Sequence, residues 1–222
     1  MTSSALSRRR FLVAGAGVLT AAVVASAPGL AAAAPPAGPR PWTRGRSANG
    51  WPVLGTVDAV PIEGSDLTVR VAGGDVALIL THVARRFHYD IDGLRVGDLT
   101  GHASTREVTE DYESNYLSGT AIAIRAGGYP LGASGNLYPN ELIVVRDILA
   151  ECDGVVRWGG DERVPKESHF QIDRGPNDKR VRQLADKIRS WEHKPSQGAG
   201  TVDPFSVGRR EAARDMERQQ TD

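Results

Sequence analysis

The sequence is poor in cysteine, the residue that forms disulfides and supplies thiolate ligands to metals. It contains one cysteine, Cys152, among 222 residues. A single cysteine excludes a disulfide framework within the chain and a zinc site made of several thiolates. Cys152 lies between Glu151 and Asp153, whose charges raise the pKa of its thiol and disfavour a nucleophilic thiolate.

The chain also lacks a net charge and the motifs of two common enzyme classes. Its 27 Lys and Arg residues balance 27 Asp and Glu residues, so nothing predicts a nucleic-acid partner. No Gly-x-Ser-x-Gly nucleophile motif is present, and the paired glycines at 73–74 and 127–128 lack the context of a phosphate-binding loop. With 40% hydrophobic residues, 25 Gly and 13 Pro, the composition indicates a folded, loop-rich protein.

The N-terminus carries an export pattern. Residues 7–12 (SRRRFL) resemble the twin-arginine motif, and an uncharged apolar stretch follows to about residue 25. Small residues at 29–34 then suit cleavage by a signal peptidase. The alternative is a membrane-anchoring helix, but the apolar stretch is shorter than the ~20 strongly apolar residues that a stable span needs. We therefore expect a signal peptide over residues 1–34, the twin-arginine translocase as a transient partner, and no stable membrane span after cleavage.

The remaining chain divides by composition. Residues 35–46 are rich in Pro, Ala, Gly and Arg and predict a linker. Residues 47–193 alternate between strand-like and helix-like patterns and predict one folded domain. Residues 194–222 turn polar and predict a flexible tail with a nascent helix at about 207–218.

Hydrophobic periodicity within residues 47–193 predicts strands and helices without a regular βαβ order. Strands are expected at 67–71, 120–125, 154–158 and 169–172, and helices at 75–89, 139–151 and 178–191. Arg85 and Arg86 are expected on a solvated helix face. The mixture predicts an α+β fold with a small, mainly antiparallel sheet and flanking helices.

Three segments carry the functional signal: residues 114–124 (SNYLSGTAIAI), 156–161 (VRWGGD) and 168–172 (SHFQI). In order, spacing and flanking residues they resemble the signature of zinc D-Ala-D-Ala carboxypeptidases and L-Ala-D-Glu endopeptidases, including endolysin domains of the hedgehog/DD-peptidase fold. The resemblance covers roughly residues 47–175. It implies a hedgehog/DD-peptidase-like fold and peptidoglycan as the partner.

The resemblance also shows where this chain departs from the family. The first two zinc-ligand positions are occupied by Tyr116 and by Ala123, which has no donor atom, and only the third ligand, His169, is retained. The position of the general base is Lys166, a cation. Because a catalytic zinc needs about three protein ligands and an open position for water, the zinc site is expected to be degenerate, with no cofactor.

Other residues leave an alternative open. Asp161, Glu162, Glu167 and His102 are candidates for a rebuilt zinc site, with Glu167 two residues from His169 and therefore on its face if both lie on a strand. A ligand-binding groove is expected to include Tyr116, Ser118, Arg157, Trp158, Asp161 and His169.

The sequence therefore predicts an exported or cell-wall-associated protein that binds peptidoglycan stem peptides, or a wall partner, without cutting them. Two alternatives stay open. One is an active zinc peptidase that uses substitute ligands, and the other is a structural module for a protein partner.

Overall fold

The computed structural model describes residues 38–191 and 201–221. The predicted signal peptide, residues 1–34, lies outside the described residues. In chain order the strands are β1 (Arg40–Pro41), β2 (Ala59–Pro61), β3 (Thr68–Arg70), β4 (Leu99–Thr100), β5 (Glu107–Val108), β6 (Ala121–Ile124), β7 (Val156–Trp158) and β8 (His169–Ile172). β4, β6, β8 and β7 form, in that order, an antiparallel sheet, and β1 pairs with β5 and β2 with β3.

The helices flank this sheet. They are α1 (Asp75–Asp90), α2 (Pro139–Glu151), α3 (Lys179–Trp191) and α4 (Val207–Thr221), with 3₁₀ helices at Asp111–Tyr116 and Gly159–Asp161. The predicted α+β class with a small antiparallel sheet is confirmed. Within residues 38–191 and 201–221, no helix combines the length and the apolar character needed to cross a membrane.

The two faces of the main sheet differ in character. Ile122, Ile124, Phe170 and Ile172 are fully buried and pack in one cluster with the apolar side of α1. Side chains alternate along a strand, so their neighbours point to the opposite side. We call that side the polar face; it carries Thr100, Ala121, Ala123, Arg157, His169 and Gln171.

The folded part begins before the predicted boundary at Ser47. Arg40–Pro41 pairs with Glu107–Val108, and Trp42 is only 2% exposed. Trp42 packs with Val108 and Leu117, and its indole N–H donates to the Arg46 carbonyl. The described part of the expected linker, residues 38–46, is therefore held by one strand pairing and one buried aromatic side chain.

The C-terminal segment also differs from the prediction of a flexible tail. Val207–Thr221 is a regular helix, longer than the nascent helix expected at 207–218, and it packs along α2. The side chain of Ala213 is buried in this contact and Met216 packs against the core. The polar sequence predicted a helix here but not its attachment to α2, because Arg209 and Glu217 make part of that contact through ion pairs.

A buried ion cluster joins α1, α2 and α4. Arg86 is 0% exposed and pairs with Asp90, Asp147 and Glu151. Arg209 of α4 adds hydrogen bonds of 2.7 and 2.8 Å to Asp147. The prediction of a solvated face is therefore wrong for Arg86, because its partners come from α2 as well as from its own helix.

Candidate functional site

The polar face brings together the residues at the three expected ligand positions. Tyr116 ends the 3₁₀ helix Asp111–Tyr116, Ala123 lies on β6 and His169 begins β8. Ala123 is directly opposite His169 across the two strands. The Ile124 N–H donates to the Ser168 carbonyl, so the pair 123/169 is a non-hydrogen-bonded one, in which side chains lie closest.

A chain of hydrogen bonds fixes the His169 ring. Tyr116 Oη lies 2.7 Å from His169 Nδ1, and His169 Nε2 lies 2.8 Å from Gln171 Oε1. The Asn115 side-chain amide also donates to Gln171 Oε1, at 2.6 Å. Because this oxygen only accepts, His169 carries its proton on Nε2, and Nδ1 accepts the Tyr116 hydroxyl proton.

The burial of this cluster keeps both rings uncharged. Burial, opposed by the hydrogen bond to Gln171 and aided by the charge of Lys166, lowers the pKa of His169 from 6.5 to about 4. Burial, followed by the charge of Glu113, raises the pKa of Tyr116 well above 10.0. The imidazole is therefore neutral at pH 7, and Tyr116 holds its proton.

Lys166, at the expected position of the general base, belongs to an ion pair. Its ammonium lies 2.7 Å from Glu113 Oε1 and 5.1 Å from the centre of the Tyr116 ring. Burial acts to raise the pKa of Glu113, but the hydrogen bond and charge of Lys166 and the backbone N–H groups of Thr109 and Glu110 lower it below its ordinary value. This pair gives the site a fixed cation where a metallopeptidase needs a carboxylate.

The side chains around His169 do not fit a catalytic zinc ion. Both ring nitrogens of His169 already have hydrogen-bond partners, and Ala123 offers no donor atom. Lys166, beside Tyr116, holds the nearby Glu113 carboxylate in an ion pair and so takes up an oxygen that could otherwise bind a metal. Over residues 38–191 and 201–221, no group of three or more His, Cys, Asp or Glu side chains is arranged to hold a metal ion.

Within residues 38–191 and 201–221, none of the residues considered for a rebuilt zinc site bonds to the His169 ring, whose partners are Tyr116 and Gln171. Glu167 lies in the turn before β8 rather than on the strand, so its carboxylate does not follow the strand alternation. It accepts bonds of 2.7 and 3.0 Å from the backbone N–H groups of Gly135 and Asn136. His102 Nε2 lies 3.0 Å from the Leu54 carbonyl, and Glu162 follows the second 3₁₀ helix, where burial raises its pKa.

Three of the residues expected in the groove have structural partners of their own. The Ser118 hydroxyl is buried and contacts Thr120 Oγ1 at 2.8 Å. Trp158 is 3% exposed, and its indole N–H donates to the Glu167 carbonyl at 2.7 Å. Asp161 is held by both terminal nitrogens of Arg146, one at 2.6 Å. The structure therefore does not bring these three to the Tyr116–His169 cluster as free ligand contacts.

Arg157 does lie on the polar face, beside the cluster. It is opposite Gln171 across β7 and β8, and its side chain is 27% exposed. Its Nε donates to Asp173 Oδ1 at 3.2 Å, and a terminal nitrogen donates to the Gln220 carbonyl at 3.1 Å.

Sequence reasoning missed the residues that complete the cluster. Gln171 carried a usable signal, because it is two residues from His169 on a predicted strand and therefore shares its face. Asn115 bonds Gln171, and Glu113 pairs with Lys166. Each contact joins residues more than fifty positions apart, so no local sequence pattern reveals it. Tyr112 lies four residues before Tyr116 on the same 3₁₀ helix, and its ring centre is 4.9 Å from that of His169.

Gly159 allows the turn before β8 to pack against the cluster. A Cβ atom at this position would lie 2.8 Å from His169 Cβ and closer still to the Lys166 carbonyl oxygen. We expect Gly159→Ala to lower the free energy of unfolding by about 1–3 kcal/mol, as overpacking of a buried site does. Urea denaturation measures this, with Gly127→Ala as the control because nothing lies within 4 Å of a Cβ there. Equal losses in both variants would contradict the close packing.

The chain matches no protein-family model, no curated protein and no solved structure at a significant level.

Proposed function

We propose that the protein is a non-catalytic relative of the zinc peptidases of the hedgehog/DD-peptidase fold, which binds peptidoglycan stem peptides or a wall partner without hydrolysis. The observation that carries this proposal is the hydrogen bond between Tyr116 and His169, with Ala123 opposite. At the three positions that hold zinc in the family it resembles, Tyr116 and His169 bond to each other and Ala123 offers no donor atom.

The chemistry of the polar face supports a ligand that carries a carboxylate. Two partly exposed cations lie near the neutral Tyr116–His169 pair. Lys166 is 5.1 Å from the centre of the Tyr116 ring and is paired with Glu113. Arg157 is opposite Gln171 and is paired with Asp173. Stem peptides carry free carboxylates, which guanidinium and ammonium groups recognise by charge-assisted hydrogen bonds. With the twin-arginine pattern of residues 7–12, we propose that the protein is secreted or wall-associated and meets this ligand outside the cell.

Metal analysis separates this proposal from the alternative of an active zinc peptidase. Protein purified without chelator is expected to contain far less than one zinc per chain, and added zinc is expected not to cleave muropeptides, as read by mass spectrometry. About one tightly bound zinc per chain that is lost in His169→Ala would overturn the non-catalytic proposal and favour substitute ligands.

Peptide binding is tested by thermal shift. A stem peptide at 100 times its dissociation constant should stabilise the protein by about 2.7 kcal/mol. The charge-removing substitution Arg157→Gln should reduce the shift, and Arg163→Gln is its control because Arg163 is an exposed arginine with a side chain 80% accessible. No shift at millimolar peptide would favour the alternative of a structural module for a protein partner.

Restoring the missing ligands tests the correspondence of positions. Tyr116→His combined with Ala123→Asp places an imidazole and a carboxylate beside His169, and we expect zinc affinity at least about 100-fold above that of the unmodified protein. Isothermal titration with zinc measures it. The control combines Tyr116→His with Ala121→Asp, since Ala121 is opposite Gln171 and not His169. A double variant that binds zinc no better than this control would refute the proposed correspondence.

A further inference from the structure

β7 is the edge strand of the main sheet, and its outward backbone groups can be identified from the register. The Asp173 N–H donates to the Val155 carbonyl at 2.7 Å, so the pairs 155/173 and 157/171 are hydrogen-bonded. Backbone groups alternate in direction along an antiparallel strand. Val156 and Trp158 therefore point their backbone N–H and C=O groups away from β8, where a further strand would pair.

The end of α4 occupies this edge. The Gln220 side-chain amide donates to the outward Val156 carbonyl at 2.7 Å, as the N–H of an added strand would. Gln220 is only 8% exposed, and in the described part of the chain its Oε1 atom is buried without a hydrogen-bond partner. The Gln220 side chain thus gives the Val156 carbonyl a hydrogen bond, but its own Oε1 atom is buried without one. That unsatisfied oxygen weakens the contact.

The same helix end also holds Arg157. Its guanidinium donates to the Gln220 carbonyl at 3.1 Å, so the cation proposed to meet a carboxylate is tied to α4. The edge of β7 and the guanidinium of Arg157 are therefore covered by one residue.

Charge, more than apolar burial, holds α4 in place. Arg209 bonds Asp147 and Glu151, and Glu217 lies 3.0 Å from Arg146. The apolar contribution is limited to Ala213 and the half-buried Met216, and Val207 is 75% exposed. Because the Arg209 and Glu217 side chains are 28% and 41% exposed, salt screens these pairs in part. A helix attached in this way is among the first elements of a fold to open.

We propose that the β7 edge is a docking surface for an extended peptide that carries a carboxylate, and that α4 is the intramolecular cover that competes for it. When α4 leaves, the Val156 carbonyl accepts a backbone N–H of the peptide, as in strand addition to a sheet edge, and Arg157 meets the carboxylate. The identity of the peptide rests on the proposed function, since a stem peptide is the ligand suggested there. That α4 covers the β7 edge does not depend on the proposed function.

Competition between α4 and the peptide predicts a fixed relation between the opening of α4 and the affinity for the peptide. If the peptide binds only the form in which α4 is open, the apparent dissociation constant equals the intrinsic one divided by the open fraction. While that fraction is small, any substitution that raises α4 opening by a given factor must tighten peptide binding by the same factor. This equality distinguishes a cover from a helix that merely stabilises the fold.

The experiment uses the full chain and two neighbouring glutamines. Gln220→Ala removes the bond to Val156, and we expect hydrogen exchange of the α4 amides to rise by about three- to tenfold, as loss of one hydrogen bond gives. The affinity for a synthetic stem peptide containing the L-Ala–D-Glu bond should rise by the same factor. Gln219→Ala is the matched control, because Gln219 is exposed. A second pair, Arg209→Ala and Arg210→Ala, repeats the comparison for the ion pairs, since Arg209 bonds Asp147 and Arg210 is exposed.

The possible outcomes test the α4 cover and the proposed function separately. Faster α4 exchange with an equal gain in peptide affinity supports the cover. Faster exchange with unchanged or weaker binding overturns it and leaves the proposed function intact, because the peptide then binds elsewhere. Unchanged exchange in both Gln220→Ala and Arg209→Ala also overturns it, whatever the peptide does. Faster exchange with no peptide binding in any variant overturns the proposed function and, with it, the peptide docking inferred here.

Discussion

Arg86→Met is expected to lower the free energy of unfolding by about 3–5 kcal/mol, the loss that follows when one partner of a buried charge network is removed. Arg86 is 0% exposed and bonds three carboxylates, among them Asp147 at 2.7 Å. Burial acts to lower the pKa of Arg86, but the charge of Glu151 and the bonds to Asp147 and Asp90 raise it. Methionine keeps much of the apolar stem, so the expected loss comes from the carboxylates that it leaves without their cation.

The neighbouring arginine provides the control. The Arg85 side chain is 30% exposed and pairs with Glu63, whose side chain is 70% exposed. Because a solvent-exposed ion pair contributes about 0–1 kcal/mol, Arg85→Met should change stability by no more than that. Chemical denaturation of both variants at pH 7 makes the comparison. Similar small losses at both positions would mean that Arg209, the other cation of the cluster, is sufficient to neutralise Asp147 and Glu151.

Arg86 also shows what sequence periodicity reveals about a helix. Arg86 is seven residues after Ile79 and three after Val83, both of them buried, so its position belongs to the inner side of α1. Its charge led to the opposite prediction, because the compensating carboxylates of α2 lie more than sixty residues away. Periodicity locates the buried side of a helix, but it does not reveal the partners that make a buried charge tolerable.

The elements predicted well are those that bury apolar side chains regularly. The helix Pro139–Glu151 and the strand His169–Ile172 have the boundaries predicted from their patterns. The strands Arg40–Pro41, Leu99–Thr100 and Glu107–Val108 have two residues each, too few for any alternation to be recognised. Helix α4 was underestimated because Arg209, Glu217 and Gln220 attach it through polar contacts.

The sequence predicted which residues of the candidate site are neighbours, but not how they bond. The resemblance to the zinc peptidases predicted that Tyr116, Ala123 and His169 share a site. In the structure the register of β6 and β8 places Ala123 opposite His169, and a hydrogen bond joins Tyr116 to His169. The sequence did not reveal that Tyr116 would bond His169, because that distance depends on how the 3₁₀ helix Asp111–Tyr116 packs over the sheet. It also did not reveal Glu113, which pairs with Lys166 from fifty-three residues away.

Acid is expected to destabilise the protein through His169. Its pKa is about 4 in the folded state, and an unfolded histidine has a pKa near 6.5. Between these values the unfolded chain binds a proton that the folded chain does not, so the free energy of unfolding falls as the pH is lowered through this window. The slope approaches about 1.4 kcal/mol per pH unit, and the total loss is about 3 kcal/mol at pH 4.

The carboxylate of Glu151 loses its contribution to stability at lower pH than His169 does. Burial acts to raise the pKa of Glu151, but the hydrogen bond from His82 and the charge of Arg86 lower it to about 2. Its stabilising effect is therefore present above the unfolded value near 4.3 and is lost as the pH falls from there through about 2. The loss between pH 6.5 and 4 is thus separated from acid unfolding of the Arg86 cluster.

The measurement is urea denaturation at intervals between pH 7 and pH 4. His169→Gln removes the titrating ring but keeps an acceptor and a donor for Tyr116 and Gln171, so its stability curve should be flatter than that of the unmodified protein across this window. His102→Gln tests the loss of a histidine in general, since that ring bonds the Leu54 carbonyl and not the Tyr116–His169 pair. If His102→Gln flattens the curve as much as His169→Gln does, the slope does not come from the buried pair. If neither changes it, the pKa of His169 is the same in the folded and the unfolded chain, which contradicts a buried Tyr116–His169 pair whose environment excludes the charged imidazole.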